Sequence, residues 1–326
     1  YVNEFQSSSV ETSAIDTNAN IKQLYVTNLK TDIKEKLLNK GYNVLNIEIS
    51  ILDNDNMDIE YINLEVEEKQ SKNENKENKI TTSNEYIREG SEEYRGFILD
   101  NTLITTNSEI HFNIHYPENY DKAKQYAIYF ANPGWEGLYF QGVGKDLGEP
   151  YVYEAQKYNK DMIIVSTQLN DWGEQSANDC IALVEYFLEN YNIDKSKVYI
   201  SGLSGGGETL SIVLGKRPEL FTSALYISSQ WDGNLDTLSK AKTPLYMVIG
   251  ENDSYYGSTK TRNAYNSLHK LYKEQGMSDE EIDKLLVLDV KEHEYFTLKG
   301  YSDEHAGCGL FAYEENIMNW IFSKSK

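Results

Sequence analysis

The 326-residue sequence predicts an α/β fold with a mostly parallel mixed sheet flanked by helices, preceded by a small α+β module. Three observations carry this. Six short, nearly continuous apolar runs alternate with helical stretches beyond residue 120, the pattern of strands buried on both faces. Two segments just before them, FILDNTLI and EIHFNIHYP, read as an antiparallel pair, and a helix-then-hairpin pattern stands apart near the amino end.

Residues 1 to 17 lack periodicity and read as a flexible lead. From Asn20 to Lys40, Ile21, Leu24, Tyr25, Leu29, Ile33, Leu37 and Leu38 fall at helical spacing, and Gly41 is a stop signal, so an amphipathic helix is expected there. VLNIEISIL and MDIEYINLEVE then alternate on either side of Asp53-Asn54-Asp55-Asn56, which predicts a hairpin. The stretch EEKQSKNENKENKITTSNEYIREGSEE is charged and Asn-rich, the composition of a linker or solvated loop. A boundary near residue 80 follows, with a module and linker at 1–80 and a second domain at 81–326.

Strands are predicted at YAIYFA, MIIVST, VYIS, ALYIS, LYMVIG and LLVLDV. Between them, Cys180, Ile181, Val184, Phe187, Leu188 and Tyr191 make one helical stripe, a helix after Ser204 stops at Arg217-Pro218, and Ser278 to Glu281 has the form of a capping box.

A formal charge of −21 argues against a nucleic-acid partner, since such proteins gather Lys and Arg on one face. No run reaches the ~18 apolar residues of a membrane span. The chain opens with Tyr1 rather than Met, from which loss of an upstream segment and an extracytoplasmic or envelope-side location are expected. Two cysteines, Cys180 and Cys308, make neither a metal cluster nor a disulfide framework.

The stretch that carries chemistry is VYISGLSGGGETLS. A β-branched strand ends at Ser201, Gly202-Leu203-Ser204-Gly205-Gly206 reads G-x-S-x-G, and a helix starts at once. In that context the serine occupies a strained turn that lifts its hydroxyl clear of the sheet, while glycines leave room for the neighbouring strand and helix. A phosphate-binding turn is the competing reading. It lacks support, because G-x-G-x-x-G and a Walker lysine are absent and Glu208 would repel an anion.

A nucleophilic serine needs a base and an orienting acid, in the chain order Ser, acid, His for this architecture. Asp253 lies in the loop after LYMVIG, and His305 in the Gly-flanked loop GYSDEHAGCG. His293, which continues the last strand, is the rival base; His111 and His115 sit on an early strand and His269 on a helical stretch. Asp232 and Asp236 are the alternative acids, with Glu251 and Asp303 as neighbours in the two favoured loops.

With NIHYPENYDKAKQYAIYFANPGWEG, GLSGGGE, GENDSYYG and DEHAGCG in this order, residues from about 85 to 326 resemble serine hydrolases of the α/β-hydrolase fold. The nearest groups are polyhydroxybutyrate depolymerase-like and feruloyl esterase-like enzymes, with prolyl oligopeptidase catalytic domains as relatives. The resemblance implies esterase or peptidase activity through a Ser204, Asp253 and His305 triad, without metal or organic cofactor. It also implies an oxyanion hole from the backbone N–H groups of Gly205 and Trp135. Pro133-Gly134 stands where many members carry His-Gly.

Trp135, Tyr139, Phe140, Trp172, Trp231, Tyr255 and Tyr256 fall in loops at the carboxyl ends of strands, where open α/β sheets bind ligands. Trp172, Trp231, Tyr255 and Tyr139 are therefore candidate substrate-binding residues, for a small-molecule or acylated-carbohydrate ester. About eighty residues ahead of the domain are too few for the propeller of an oligopeptidase, which favours esters over peptides.

Residues 21–67, chiefly IKQLYVTNLKTDIKEKLLNKGYNVLNIEISI, resemble the soluble part of the stage III sporulation protein AF family. That resemblance implies an envelope-assembly or self-assembly role for the module. The alternative function is thus a binding protein in which this module sets the activity.

One segment has a second possible origin. Glu136 to Gly142 reads EGLYFQG, close to the protease site placed behind purification tags. Its place directly after a core strand, well inside the domain, identifies it as part of the fold.

Overall fold

The computed structural model describes residues 24–27, 43–51, 59–67 and 96–326. The chain divides into two units, Tyr1–Arg95 and Gly96–Lys326.

In the first unit, β1 (Leu24–Thr27) pairs in parallel with β2 (Asn43–Ile51), and β2 pairs antiparallel with β3 (Ile59–Glu67). The β2–β3 pair is the expected hairpin, with Ile49 opposite Ile62. Its turn residues Asp53 to Asn56 lie outside the described residues. The helix expected over Asn20 to Lys40 is overturned at Leu24–Thr27, where the backbone is a strand. Tyr25, Val26 and Thr27 favour a pleated conformation, and pairing with Val44, Leu45 and Asn46 gives the inward-facing half of their backbone groups partners. Helical spacing of apolar residues carries no information about such a neighbour. The rest of that stretch lies outside the described residues.

The second unit contains β4 (Phe97–Ile104), β5 (Glu109–His115), β6 (Tyr126–Asn132), β7 (Met162–Gln168), β8 (Ile193–Leu203), β9 (Ser223–Ile227), β10 (Leu245–Gly250) and β11 (Leu286–Lys291). Their spatial order is β4-β5-β7-β6-β8-β9-β10-β11. From β7 to β11 every neighbouring pair is parallel, and β5 runs antiparallel to both β4 and β7. The runs that read as continuously apolar, β6, β7, β9 and β10, are buried along their whole length. Covered on both faces, they have no solvent side on which polar residues could alternate.

Helices α1 (Pro150–Tyr153), α2 (Glu174–Asn190), α3 (Gly205–Lys216), α4 (Leu235–Ala241), α5 (Ser258–Glu274), α6 (Asp279–Asp283), α7 (His293–Thr297) and α8 (Glu315–Phe322) complete two outer layers. On one face Phe187 of α2, Leu210 of α3 and Leu268 of α5 pack with Phe130 and Met247. On the other, Tyr151 of α1, Phe296 of α7 and Met318 of α8 pack with Ile227 and Val248. Adjacent residues of one strand, Met247 and Val248, feed opposite cores, as a two-residue period requires. The capping box of α6 is present: Glu281 N donates to Ser278 Oγ at 3.3 Å, and Ser278 N donates to Glu281 Oε2 at 2.8 Å. Among the described residues no helix is long and apolar enough to cross a membrane.

Parallel pairing puts the carboxyl ends of β6, β8 and β10 on one edge of the sheet. The chain leaves β6 toward β7 on one side, while β8 lies on the other. Such a divergence opens a crevice at that edge.

Candidate active site

Ser204 stands between the end of β8 and the first residue of α3, with φ 53° and ψ −121°. A non-glycine residue at such a φ carries on the order of 1–3 kcal/mol of strain and persists only when its surroundings hold it. Here they do. Ser204 N donates to Ile227 O at 3.0 Å, and Ser204 O accepts from Gly207 N at 2.9 Å and from Ser229 Oγ at 2.6 Å. The motif glycines are needed for space. A Cβ on Gly202 would lie 2.3 Å from Gly206 O, and one on Gly206 would lie 2.4 Å from Pro133 O.

The imidazole of His305 reaches this hydroxyl, with Nε2 3.0 Å from Ser204 Oγ. Its other nitrogen, Nδ1, lies 2.8 Å from Asp253 Oδ2. The Asp253 side chain is fully buried, whereas that of His305 is 20% exposed. Asp253 is held from behind, because its Oδ1 accepts from Tyr255 N at 3.1 Å and from Tyr256 N at 2.8 Å. The rival His293 opens α7 and bonds Glu304 Oε1 through Nδ1 at 3.0 Å. Glu304 also accepts from Asn252 N at 2.6 Å, so this second His–carboxylate pair braces the acid loop beside Asp253.

The two amides expected to form the oxyanion hole each lie at the start of a helical turn. Gly205 is the first residue of α3, where helix geometry leaves the N–H without an intrahelical acceptor. Trp135 opens a 3₁₀ turn, Trp135–Gly137, and is in the same position. The residue before it, Gly134, touches the site: a Cβ there would lie 3.6 Å from Ser204 Cβ.

The aromatic residues separate into rim and packing. Trp135 is exposed and packs against Phe140 at 5.2 Å and Trp172 at 6.5 Å between ring centroids. Trp172 covers Gly205 so closely that a Cβ there would meet its indole at 2.2 Å. Across the site, Tyr255 stacks on His305 at 5.5 Å and Tyr256 meets the same ring edge-on at 5.6 Å. Tyr139 stacks on His111 at 3.7 Å instead. Trp231 packs on Tyr226 at 5.4 Å and donates its indole N–H to Gly233 O at 2.9 Å within its own loop. Neither of these two joins the rings around Ser204 and His305.

A polar pair is added that motif reasoning did not assemble. Tyr256 Oη donates to Glu208 Oε1 at 2.6 Å, one turn into α3 from the serine. Burial and the Glu208 carboxylate raise this phenol well above its ordinary range, with the Ser204 hydroxyl opposing them. Spacing could have hinted at it, since Glu208 lies four residues after Ser204 and therefore on the same helix face. Among the described residues, no group of three or more His, Cys, Asp or Glu side chains is placed to hold a metal ion.

Residues 167–287 match the model of the prolyl oligopeptidase family. A thermostable esterase of known structure superposes with a TM-score of 0.58 at 16% identity, over 77% of this chain and 66% of that one. The second unit has the α/β-hydrolase fold. A putative dipeptidyl aminopeptidase IV from Bacteroides ovatus shares the hydrolase architecture, with a TM-score of 0.52 at 13% identity over 71% of this chain and 36% of that one. Acetylxylan esterase A of Aspergillus awamori is 28% identical over 108 residues, 31% of this chain and 36% of its own. The chain thus spans about a third of the length of that curated relative.

Proposed function

We propose that the hydrolase unit is a serine esterase that cleaves carboxylic esters through an acyl-enzyme on Ser204. The observation that carries this reading is the relay from Ser204 Oγ to His305 Nε2 at 3.0 Å and from His305 Nδ1 to Asp253 Oδ2 at 2.8 Å. Asp253 accepts a hydrogen bond from Nδ1–H, which keeps the proton on that nitrogen and leaves the Nε2 lone pair free to take the serine proton as Oγ attacks the ester carbonyl. The amides of Gly205 and Trp135 receive the oxyanion. The imidazolium then gives its proton to the departing alcohol, and water, deprotonated by the same ring, releases the acid.

The rim supports small esters of hydroxyl-rich or aromatic alcohols. Trp135, Phe140 and Trp172 form an apolar wall, and Tyr255 with the Tyr256–Glu208 pair forms a wall with hydrogen-bonding capacity. The name of the Aspergillus relative, an acetylxylan esterase, points to acetylated carbohydrate as one such class. Peptide cleavage is the second reading, favoured by the prolyl oligopeptidase family match.

A fluorophosphonate probe tests the chemistry. Wild type should be labelled and Ser204→Ala spared, whereas equal labelling of both removes the nucleophile assignment. Acetylated xylo-oligosaccharides, p-nitrophenyl acetate, a feruloyl ester and a peptide amide, compared by kcat/KM, then separate ester from peptide substrates.

A further inference from the structure

Resting on that esterase reading, we propose that Glu149 is a positioning residue of the oxyanion hole, anchoring the Pro133–Gly134 peptide, and with it the Gly134 Cα from which the Trp135 N–H is presented, by accepting a hydrogen bond from Gly134 N. Glu149 contributes to no motif and takes no part in the relay. Its Oε1 nevertheless accepts from Gly134 N at 2.5 Å, and a Cβ on Gly134 would lie 3.3 Å from that oxygen and 3.6 Å from Ser204 Cβ. The carboxyl therefore sits directly behind the one glycine that separates Pro133 from the Trp135 amide.

The physical argument begins with what an oxyanion hole requires. Its donors help only when they are fixed where the charge develops, because reorganisation at that moment forfeits the benefit. Gly205 N is fixed by α3. Trp135 N belongs to a turn of only three residues, and Gly134 before it has no side chain with which to anchor itself. The bond from Gly134 N to Glu149 supplies that anchor: it fixes the Pro133–Gly134 peptide plane, so that one Cα, that of Gly134, separates a fixed peptide from the one presenting Trp135 N–H.

Glu149 is itself rigidly mounted. It caps α1 immediately before Pro150, and two residues later Tyr151 Oη donates to Cys308 O at 2.6 Å. Cys308 N in turn donates to His305 O at 3.1 Å. One short segment thus reaches the oxyanion loop with Glu149 and the base loop with Tyr151. Burial pushes the Glu149 carboxyl well above its usual range, opposed by the Gly134 N–H and helped by Asp146 and Glu136.

The experiment compares Glu149→Ala and Glu149→Gln on p-nitrophenyl acetate. Glu149→Ala should lower kcat by about ten- to a hundredfold, the scale of a small misplacement, with KM changed by less than about twofold. Glu149→Gln retains an accepting oxygen and should hold kcat within about threefold of wild type. Wild-type kcat in Glu149→Ala overturns the proposal, and so does a Gln variant as slow as the Ala variant. If Glu149→Ala does not fold, Glu149→Asp, which withdraws the acceptor by one methylene, must show the loss of kcat; wild-type kcat there overturns it equally. Fluorophosphonate labelling of Ser204 separates the two levels. A labelled wild type with unaffected Glu149 variants refutes the positioning role alone, whereas an unlabelled wild type refutes the esterase reading.

Discussion

His293 bonds Glu304 Oε1 at 3.0 Å, whereas His305 bonds Ser204 Oγ at the same distance, so the adjacent residues Glu304 and His305 each belong to a different His–carboxylate pair, and only the His305–Asp253 pair reaches the nucleophile. Replacing His305 by alanine should cost about 10³-fold or more in kcat toward p-nitrophenyl acetate. His293→Ala should retain activity within severalfold. Full activity in His305→Ala with loss in His293→Ala would exchange the two roles.

Gly206→Ala should destabilise the unit. The added Cβ would meet Pro133 O at 2.4 Å and Asn132 O at 2.5 Å, and backbone atoms cannot rotate away as a side chain can. A loss of about 1–3 kcal/mol in a denaturant titration is expected, and an unchanged midpoint would show that the elbow has more slack than these distances allow.

Tyr255 offers a test of the rim that is separable from folding. It is 75% exposed and stacks on His305, so Tyr255→Ala should change stability by less than about 0.5 kcal/mol while raising KM for aryl esters severalfold. An unchanged KM would remove this ring from the binding surface.

Asp146 predicts a pH dependence of stability. It is completely buried, with both carboxylate oxygens accepting from Asn113 Nδ2 at 2.8 and 3.0 Å, and burial raises it from 3.8 to about 7. Between those values the folded chain keeps a proton that the unfolded chain has lost. Stability gained from this group is therefore fully present below the unfolded pKa and falls as pH rises toward 7, by up to ~1.4 kcal/mol per pH unit. Asp146→Asn should flatten that slope, measured by denaturant titrations at several pH values. A slope identical to wild type would assign the dependence to other groups.

The tag-like segment gives a further prediction. Trp135–Gly137 and Tyr139–Gln141 are successive 3₁₀ turns, Leu138 between them is 1% exposed, and Tyr139 N donates to Leu169 O at 2.9 Å. A tag-removing protease should leave the native protein intact and cut after Gln141 only in denatured samples. Cleavage of the native form would mean that these turns open readily.

What the sequence disclosed, and what it withheld, follows from the range of the interactions involved. Apolar runs such as YAIYFA and LYMVIG report their own burial, so β6 and β10 were legible residue by residue. Ser204 was legible because its strain demands glycines at fixed offsets, and Asp253 and His305 because the order of strands places their loops at one edge. Leu24–Thr27 misled, since a short strand's identity rests on a partner across the sheet rather than on its own spacing. Trp231 and Tyr139 were indistinguishable from Trp172 and Tyr255 in sequence, because loop aromatics near strand ends share one composition whichever way they turn. Glu149 gave no signal at all, as its meaning comes from a glycine fifteen residues earlier.

The placement of β11 at the outer edge of the sheet has a consequence for how the protein fails. Ser204 hangs from β8, in the interior of the sheet, but the chain reaches His305 only after passing through β11 and α7. Edge elements open at lower free energy than central ones. In mild denaturant, catalysis should therefore disappear before the central strands lose amide protection against hydrogen exchange, and reappear last on refolding. Turnover would then act as a gauge of the sheet's margin, while the nucleophile's own surroundings stay intact.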